Sequence, residues 1–235
     1  MNWKKGLKYV GIAVGVLVLG AVLLGVLDGL IGKGQWNLGW TDYTYDDSDY
    51  RVDNASIPSD RVTAIDLDWI DGKVQVVLCQ DAYVSITETA GEELNEGSRV
   101  HWRVSEDGKT LSIKYRESSK FFGVSKNKNK DLILRIPERL LGQLESLTIT
   151  CVSSEVTVSD VVAEQINVKT STGDVTLELP EATAFILTCE SRNEKAPTID
   201  FPVTKQENTY VCGTDGIRIT VQTASGKTTV KCTEG

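Results

Sequence analysis

The sequence predicts an all-β body, an irregular β-solenoid-like stack of strand–turn–strand repeats, preceded by one transmembrane helix. Three observations carry that expectation. Apolar residues alternate with polar ones over short runs bounded by small turn residues, the period-2 signature of strands with one buried face. One strand–turn–strand pattern recurs along the chain, as repeat architectures require. A single long apolar run stands near the N-terminus, and no long amphipathic helical pattern follows it. Evenly spaced short strands also suit a β-sandwich, which stays open as the alternative.

The N-terminal element is the plainest. Lys4, Lys5 and Lys8 precede Val10–Leu27, eighteen residues drawn only from Ala, Val, Ile, Leu and Gly. As a helix this run spans ~27 Å, close to the hydrocarbon thickness of a bilayer. A cleaved signal peptide would have a shorter apolar core and a small-x-small cleavage site, and no such site follows. Residues 10–31 therefore read as an uncleaved membrane anchor. Positive residues stay on the cytoplasmic side, so residues 1–9 form a short cytoplasmic tail and the C-terminal domain lies outside the cytoplasm of a single-pass cell-membrane protein. Gly11 and Gly15 have the GxxxG spacing that lets helices approach closely, a candidate helix-association site.

Residues 32–60 read as a juxtamembrane linker, with Trp36, Trp40, Tyr43 and Tyr45 suited to the headgroup level. The repeat domain spans 61–235. Its template is QINVKTSTGDVTLEL, residues 165–179: strands Ile166–Thr170 and Val175–Leu179 around Ser171, Thr172, Gly173 and Asp174. Glycine tolerates the backbone conformations such a turn needs. Nineteen residues earlier, Leu147–Val158 fits with Cys151 in the column of Thr170. Ile65–Leu78 is a fainter copy that puts Trp69 there. Downstream, Ile186–Ser191 puts Cys189 in the column, Tyr210–Ile219 puts Cys212 there and Val221–Val230 puts Thr223 there. Adjacent strands recur every ~4.8 Å, a separation within the Cα range of a disulfide. Cys189 and Cys212 are thus a candidate disulfide in an oxidising compartment, with buried thiols as the alternative.

Between Trp69 and the template, Val100–Val104 and Leu111–Tyr115 read as a hairpin, with His101, the single histidine, on its outward side. The interval Glu117–Lys130 breaks the pattern. It carries Lys120, Phe121, Phe122, Lys126, Lys128 and Lys130 without an acid between the first and last lysine. In a chain of net charge −8 this is the one basic, aromatic-tipped stretch, a candidate contact loop for an anionic lipid surface or an acidic envelope polymer. The same stretch also suits a long hairpin tip folded back on the sheet.

Composition excludes several classes. The acidic balance argues against nucleic acid as a partner. Five cysteines without CxxC spacing argue against zinc, and no cofactor motif is present. GxSxG and HExxH are absent, and the carboxylates Asp160, Asp174, Glu178, Asp200 and Asp215 occupy different template positions, so the chain is read as non-enzymatic. Outward strand positions include Thr148, Thr150, Thr157, Thr176 and Thr229, a composition that also simply suits exposed strands.

The run LILRIPERLLGQLESLTITCVSSEVTV followed by INVKTSTGDVTLELP resembles the DUF4097 family of β-strand-repeat domains, also labelled adhesins, and in particular its membrane-anchored members. The marks are the strand ending at Ile136-Pro137 and the units of form apolar-x-apolar-x-x-S/T-G-D-apolar, clearest at Ser171–Val175. Ser154-Glu155 stands where one unit should have its glycine. The resemblance implies a bacterial, envelope-located, right-handed β-solenoid-like domain over roughly residues 60–232, and it brings no catalytic residues. The function expected is adhesion to, or binding of, an envelope component or partner protein. An accessory or sensor subunit of an envelope-stress signalling complex is the alternative, and a polysaccharide-acting β-helix enzyme ranks below both.

Overall fold

A computed structural model describes residues 36–58, 60–126, 129–192 and 195–233. The expected tail and anchor, with Gly11 and Gly15, lie outside these residues. Among the described residues no helix is long and apolar enough to cross a membrane. In chain order the strands are β1 (Trp36–Tyr43), β2 (Arg51–Val52), β3 (Ala55–Pro58), β4 (Ala64–Trp69) and β5 (Lys73–Cys79). Next come β6 (Tyr83–Ala90), β7 (His101–Val104), β8 (Thr110–Lys114), β9 (Ser119–Lys126) and β10 (Lys130–Pro137). Then follow β11 (Ser146–Cys151), β12 (Glu155–Ser159), β13 (Gln165–Thr170), β14 (Val175–Pro180) and β15 (Phe185–Ser191). The last are β16 (Thr198–Ile199), β17 (Thr204–Gln206), β18 (Thr209–Cys212), β19 (Ile217–Thr223) and β20 (Thr228–Thr233).

The chain divides into two compact units. In the smaller, β1 and β9 pair antiparallel, with Trp40 opposite Phe122 and Asp42 opposite Lys120. The larger, the body, holds an eight-stranded sheet of order β16-β20-β14-β12-β5-β10-β6-β3 and a ten-stranded sheet of order β17-β18-β15-β19-β13-β11-β4-β8-β7-β2. Four strand–turn–strand rungs (β4–β5, β11–β12, β13–β14 and β19–β20) contribute one strand to each sheet and stack in parallel. Their middle is the solenoid-like stack; antiparallel strands finish both ends of the larger sheet and one end of the smaller, whose other end is the parallel strand β16.

Alternation builds the core. In the larger sheet Ile65, Leu147, Ile166, Ile219 and Leu187 form one buried row across neighbouring strands. Leu67, Ile149, Val168, Val221 and Cys189 form the next. Val74, Val156, Val175 and Thr228 face them from the other sheet. Full burial of each large apolar side chain contributes about 1.5–3 kcal/mol. The sheet edges are short, as in β2, β16 and β17, and β3 ends in Pro58, which blunts edge-to-edge pairing.

The third row closes the turns. Trp69 lies opposite Cys151, and Thr170 opposite Thr223. Thr170 Oγ1 accepts from the Gly173 N–H at 3.2 Å, and Thr223 Oγ1 from the Gly226 N–H at 2.8 Å. The glycines are needed for another reason. A Cβ on Gly173 would overlap the Ser154 carbonyl oxygen, and one on Gly226 would overlap the Gly173 carbonyl oxygen. Successive turns therefore touch backbone to backbone. Asp174 then reaches across, its Oδ1 accepting from the Lys227 N–H of the next rung at 2.7 Å. Asp131 does the same for the Lys73 N–H at 2.8 Å. At the Cys151 turn Ser154 takes the glycine's place and is buried, so this one turn admits a Cβ. Burial pushes the Cys151 thiol up to about 12, with the Ser154 hydroxyl beside it pulling the other way.

Several expectations are corrected here. Residues 46–58 are not linker: β2 pairs with β7 and β3 with β6, because Val52 and Ile57 extend the two sheets. His101 is buried, its Nδ1 3.0 Å from the Arg99 carbonyl, since β2 covers the strand edge there. Lys120, Phe121, Phe122 and Lys126 belong to strand β9, not to a loop. Lys130 is fully buried in the body.

Lys130 is held on every side. Its ammonium lies 2.5 Å from Glu88 Oε1 and donates to the Ser98 carbonyl at 2.6 Å and to the Tyr115 carbonyl. The rings of Tyr115 and Trp69 stand 4.0 and 5.0 Å from it, each with its negative π-face available to a cation. Trp69 Nε1 donates to the Lys130 carbonyl at 3.0 Å, and Tyr115 Oη to Asp71 at 2.6 Å. Burial outweighs the pull of Glu88 and lowers the Lys130 ammonium from 10.5 to about 8.

Two predictions follow from this packing. Gly173→Ala should lower stability by at least about 2 kcal/mol through backbone overlap. Gly142→Ala, where a Cβ meets nothing within 4 Å, should change it by less than about 0.5 kcal/mol in the same denaturant titration. For Lys130 the unfolded chain binds the proton more tightly, so this group's contribution to stability rises with pH between about 8 and 10.5. The wild type should gain about 3 kcal/mol on Lys130→Met across that window. Both proteins share Cys151 and Cys189, whose raised values act in the opposite direction above pH 9 and cancel in the comparison.

Candidate functional site

The repeat fails at one rung, and a cleft opens there. In β15 the row of Trp69, Cys151, Thr170 and Thr223 ends at Ser191, which pairs with Thr223. Three residues after Thr170 and Thr223 stands a glycine; three after Ser191 stands Glu194. The chain leaves Ser191 through Arg192 and rejoins the stack only at β16, where Thr198 pairs with Thr229. Ser191 Oγ is buried and makes no hydrogen bond, unlike its counterparts Thr170 and Thr223.

The resulting cleft has a volume of about 730 Å³. The turns at Ser171 and Ala224 line it, together with residues 195–197 and the β17–β18 hairpin, which packs antiparallel on β15. Its charge runs against that of the chain: Lys169, Arg192, Lys195 and Lys205 face two carboxylates, Glu190 and Glu207. Glu190 is already engaged, accepting from Gln222 Nε2 at 2.8 Å. Lys205 stands 5.5 Å from the Tyr210 ring centroid. Lys169, Arg192 and Lys195 have no carboxylate within ion-pair distance among the described residues.

Cys189 also lines the cleft, and burial pushes its thiol up to about 11, which keeps it protonated and poorly nucleophilic. A second, smaller groove of about 310 Å³ runs over the outer face of the same sheet along Thr148, Thr150, Asn167 and Thr220. Lys169 and Gln222 line both, so the cleft continues onto that face. Among the described residues no group of His, Cys, Asp and Glu could hold a metal ion.

The residues singled out from sequence fall elsewhere. Cys189 lies opposite Val221, one strand step short of the Thr170 row, and Cys212 lies opposite Phe185 on an antiparallel strand. Four residues separate Phe185 from Cys189, about 13 Å along a strand, and all five cysteines are free. The basic stretch is divided: Lys120 to Lys126 lie in the smaller unit, Lys128 is outside the described residues, and Lys130 is core. Thr157, Thr176, Thr229 and Thr198 do align as one outward row on the smaller sheet, far from the cleft's own lining.

The Toastrack DUF4097 family model matches residues 62–193, more than half of the chain. The chain belongs to the Toastrack family. Its match starts just before β4 and ends just after Ser191, so the family segment covers three of the four rungs and leaves out β19–β20. No curated protein matches the chain. Among solved structures, a chain from Clostridium sporogenes titled "a putative cell adhesion protein" is similar at a TM-score of 0.56 and 10% identity, covering 78% of this chain and 100% of that one. At that identity the likeness shows the fold alone. A Bacteroides fragilis chain titled "a putative adhesin" is similar at a TM-score of 0.30 and 10% identity, over 78% of this chain and 97% of that one.

The orphaned Ser191 hydroxyl gives a direct check on this Toastrack turn. Thr223→Val removes the acceptor of the buried Gly226 N–H and should cost about 1–2 kcal/mol. Ser191→Ala removes a hydroxyl that pairs with nothing and should cost less than about 0.5 kcal/mol in the same urea unfolding.

Proposed function

We propose that the chain is a membrane-tethered, extracytoplasmic contact module that binds a component of the cell envelope and catalyses no reaction. The observation that carries this reading is the terminal cleft, a cation-lined recess opened where an otherwise regular repeat stops closing its turns. A stack of parallel rungs is a rigid mount for such a recess, because each rung is fixed by its neighbours. The groups inside suit holding a ligand more than breaking one: Cys189 is a protonated thiol and Glu190 is tied to Gln222. Membership of the Toastrack family and the fold shared with the Clostridium chain support a surface role. The lysines ahead of the apolar run 10–31 support the tether and its orientation.

The full chain, expressed in bacterial cells, should sediment with membranes. Protease added to intact spheroplasts should digest its body, and exchanging residues 10–31 for a polar linker should abolish sedimentation. A body protected from the added protease would overturn the reading.

A further inference from the structure

We propose that the terminal cleft seats a linear polyanion, a sugar or polyol chain bearing carboxylate or phosphate groups. The proposal rests on the contact-module reading and adds the chemistry of its ligand.

Four features point the same way. Among the described residues that line the cleft, cations outnumber carboxylates, in a chain of net charge −8. An evenly mixed surface would have paired them, yet among the described residues Lys169, Arg192 and Lys195 have no ion-pair partner. Ser191, a lining residue, has its Oγ buried with no hydrogen bond, whereas Thr170 and Thr223 each accept from a glycine N–H; its O–H is therefore free to donate to an oxyanion seated against it. Finally, the recess does not end: it shares Lys169 and Gln222 with the groove along Thr148, Thr150 and Asn167. A small ion would leave most of about 730 Å³ to water, whereas a chain entering by Arg192 and Lys195 can continue over a strip of hydroxyl and amide groups.

Nucleic acid fits less well. Single strands are held by stacking on exposed aromatic faces; Tyr210 is the one aromatic lining residue and is buried beneath the Lys205 ammonium. Arg192 and Lys195 are exposed, so their attraction acts through water and should weaken with salt.

The test uses the full chain in detergent micelles and isothermal titration with four probes: poly(glycerol phosphate), polygalacturonate, neutral dextran and a deoxyoligonucleotide. Binding of at least one of the first two is expected, and which one binds tells phosphate from carboxylate. That binding should weaken at least about tenfold in the double variant Arg192→Gln, Lys195→Gln, whose thermal unfolding should match the wild type because both residues are exposed. Ser191→Ala should weaken it about threefold without loss of stability. Binding unchanged in the double variant, dextran or the oligonucleotide bound as tightly, or no binding of either polyanion would each overturn the proposal. Should the body still prove accessible outside spheroplasts in that case, the ligand assignment falls while the contact-module reading stands.

Discussion

Successive turns along one edge of the body lie in backbone contact, and that closeness constrains everything around it. At Gly173 and Gly226 the corner has no room for a side chain, because a Cβ would overlap the neighbouring carbonyl; at the Cys151 corner a buried Ser154 fits instead. Once the turns touch, the neighbouring amides are within reach of a short acceptor, which explains the aspartate after the glycine: Asp174 bonds the next rung and not its own. At Thr170 and Thr223, three positions before the glycine, the side-chain oxygen caps the glycine amide from inside the corner, whereas Trp69 holds that position before Gly72. The S/T-x-x-G-D pattern is thus three solutions to one steric condition. After Ser191 neither a glycine nor a serine stands three places on, only Glu194, and the chain rejoins the stack at β16.

Much of the stack was legible because that condition writes itself into the sequence at fixed offsets. Trp69, Cys151, Thr170 and Thr223 do share one row, and the strands on either side fall where alternation puts them. Cys189 was misplaced by two residues because alternation settles which face a side chain takes but is blind to a slip of two. Cys212 was misplaced for a different reason: Tyr210–Ile219 looks like a rung, yet the pair Gly213 and Asp215 at positive φ turns the chain between an antiparallel capping strand and the next parallel one. The cleft itself could not be read. Lys169 and Lys205 are far apart in the chain and meet only because β17–β18 folds back across β15.

The fate of Lys130 shows why charge runs mislead. It closes a series of lysines spaced for a basic surface, but the chain turns at Asn129, in a left-handed conformation, and delivers it between Trp69 and Tyr115. There a carboxylate and two backbone carbonyls take up the ammonium. Removing one partner from such a buried set is far more damaging than never having had it. The residue is a peg for the end of the stack where aromatic side chains replace hydroxyls at the corners.

The order of the strands has a consequence for how the molecule is made. The final rung, β19–β20, does not lie at the end of the stack; β19 is wedged between β13 and β15, strands that precede it by thirty residues or more. During synthesis, the nascent body therefore has a slot between β13 and β15 until β19 is made. β19 acts like a keystone, and a chain cut before Ile217 would leave β13 and β15 with bare facing edges.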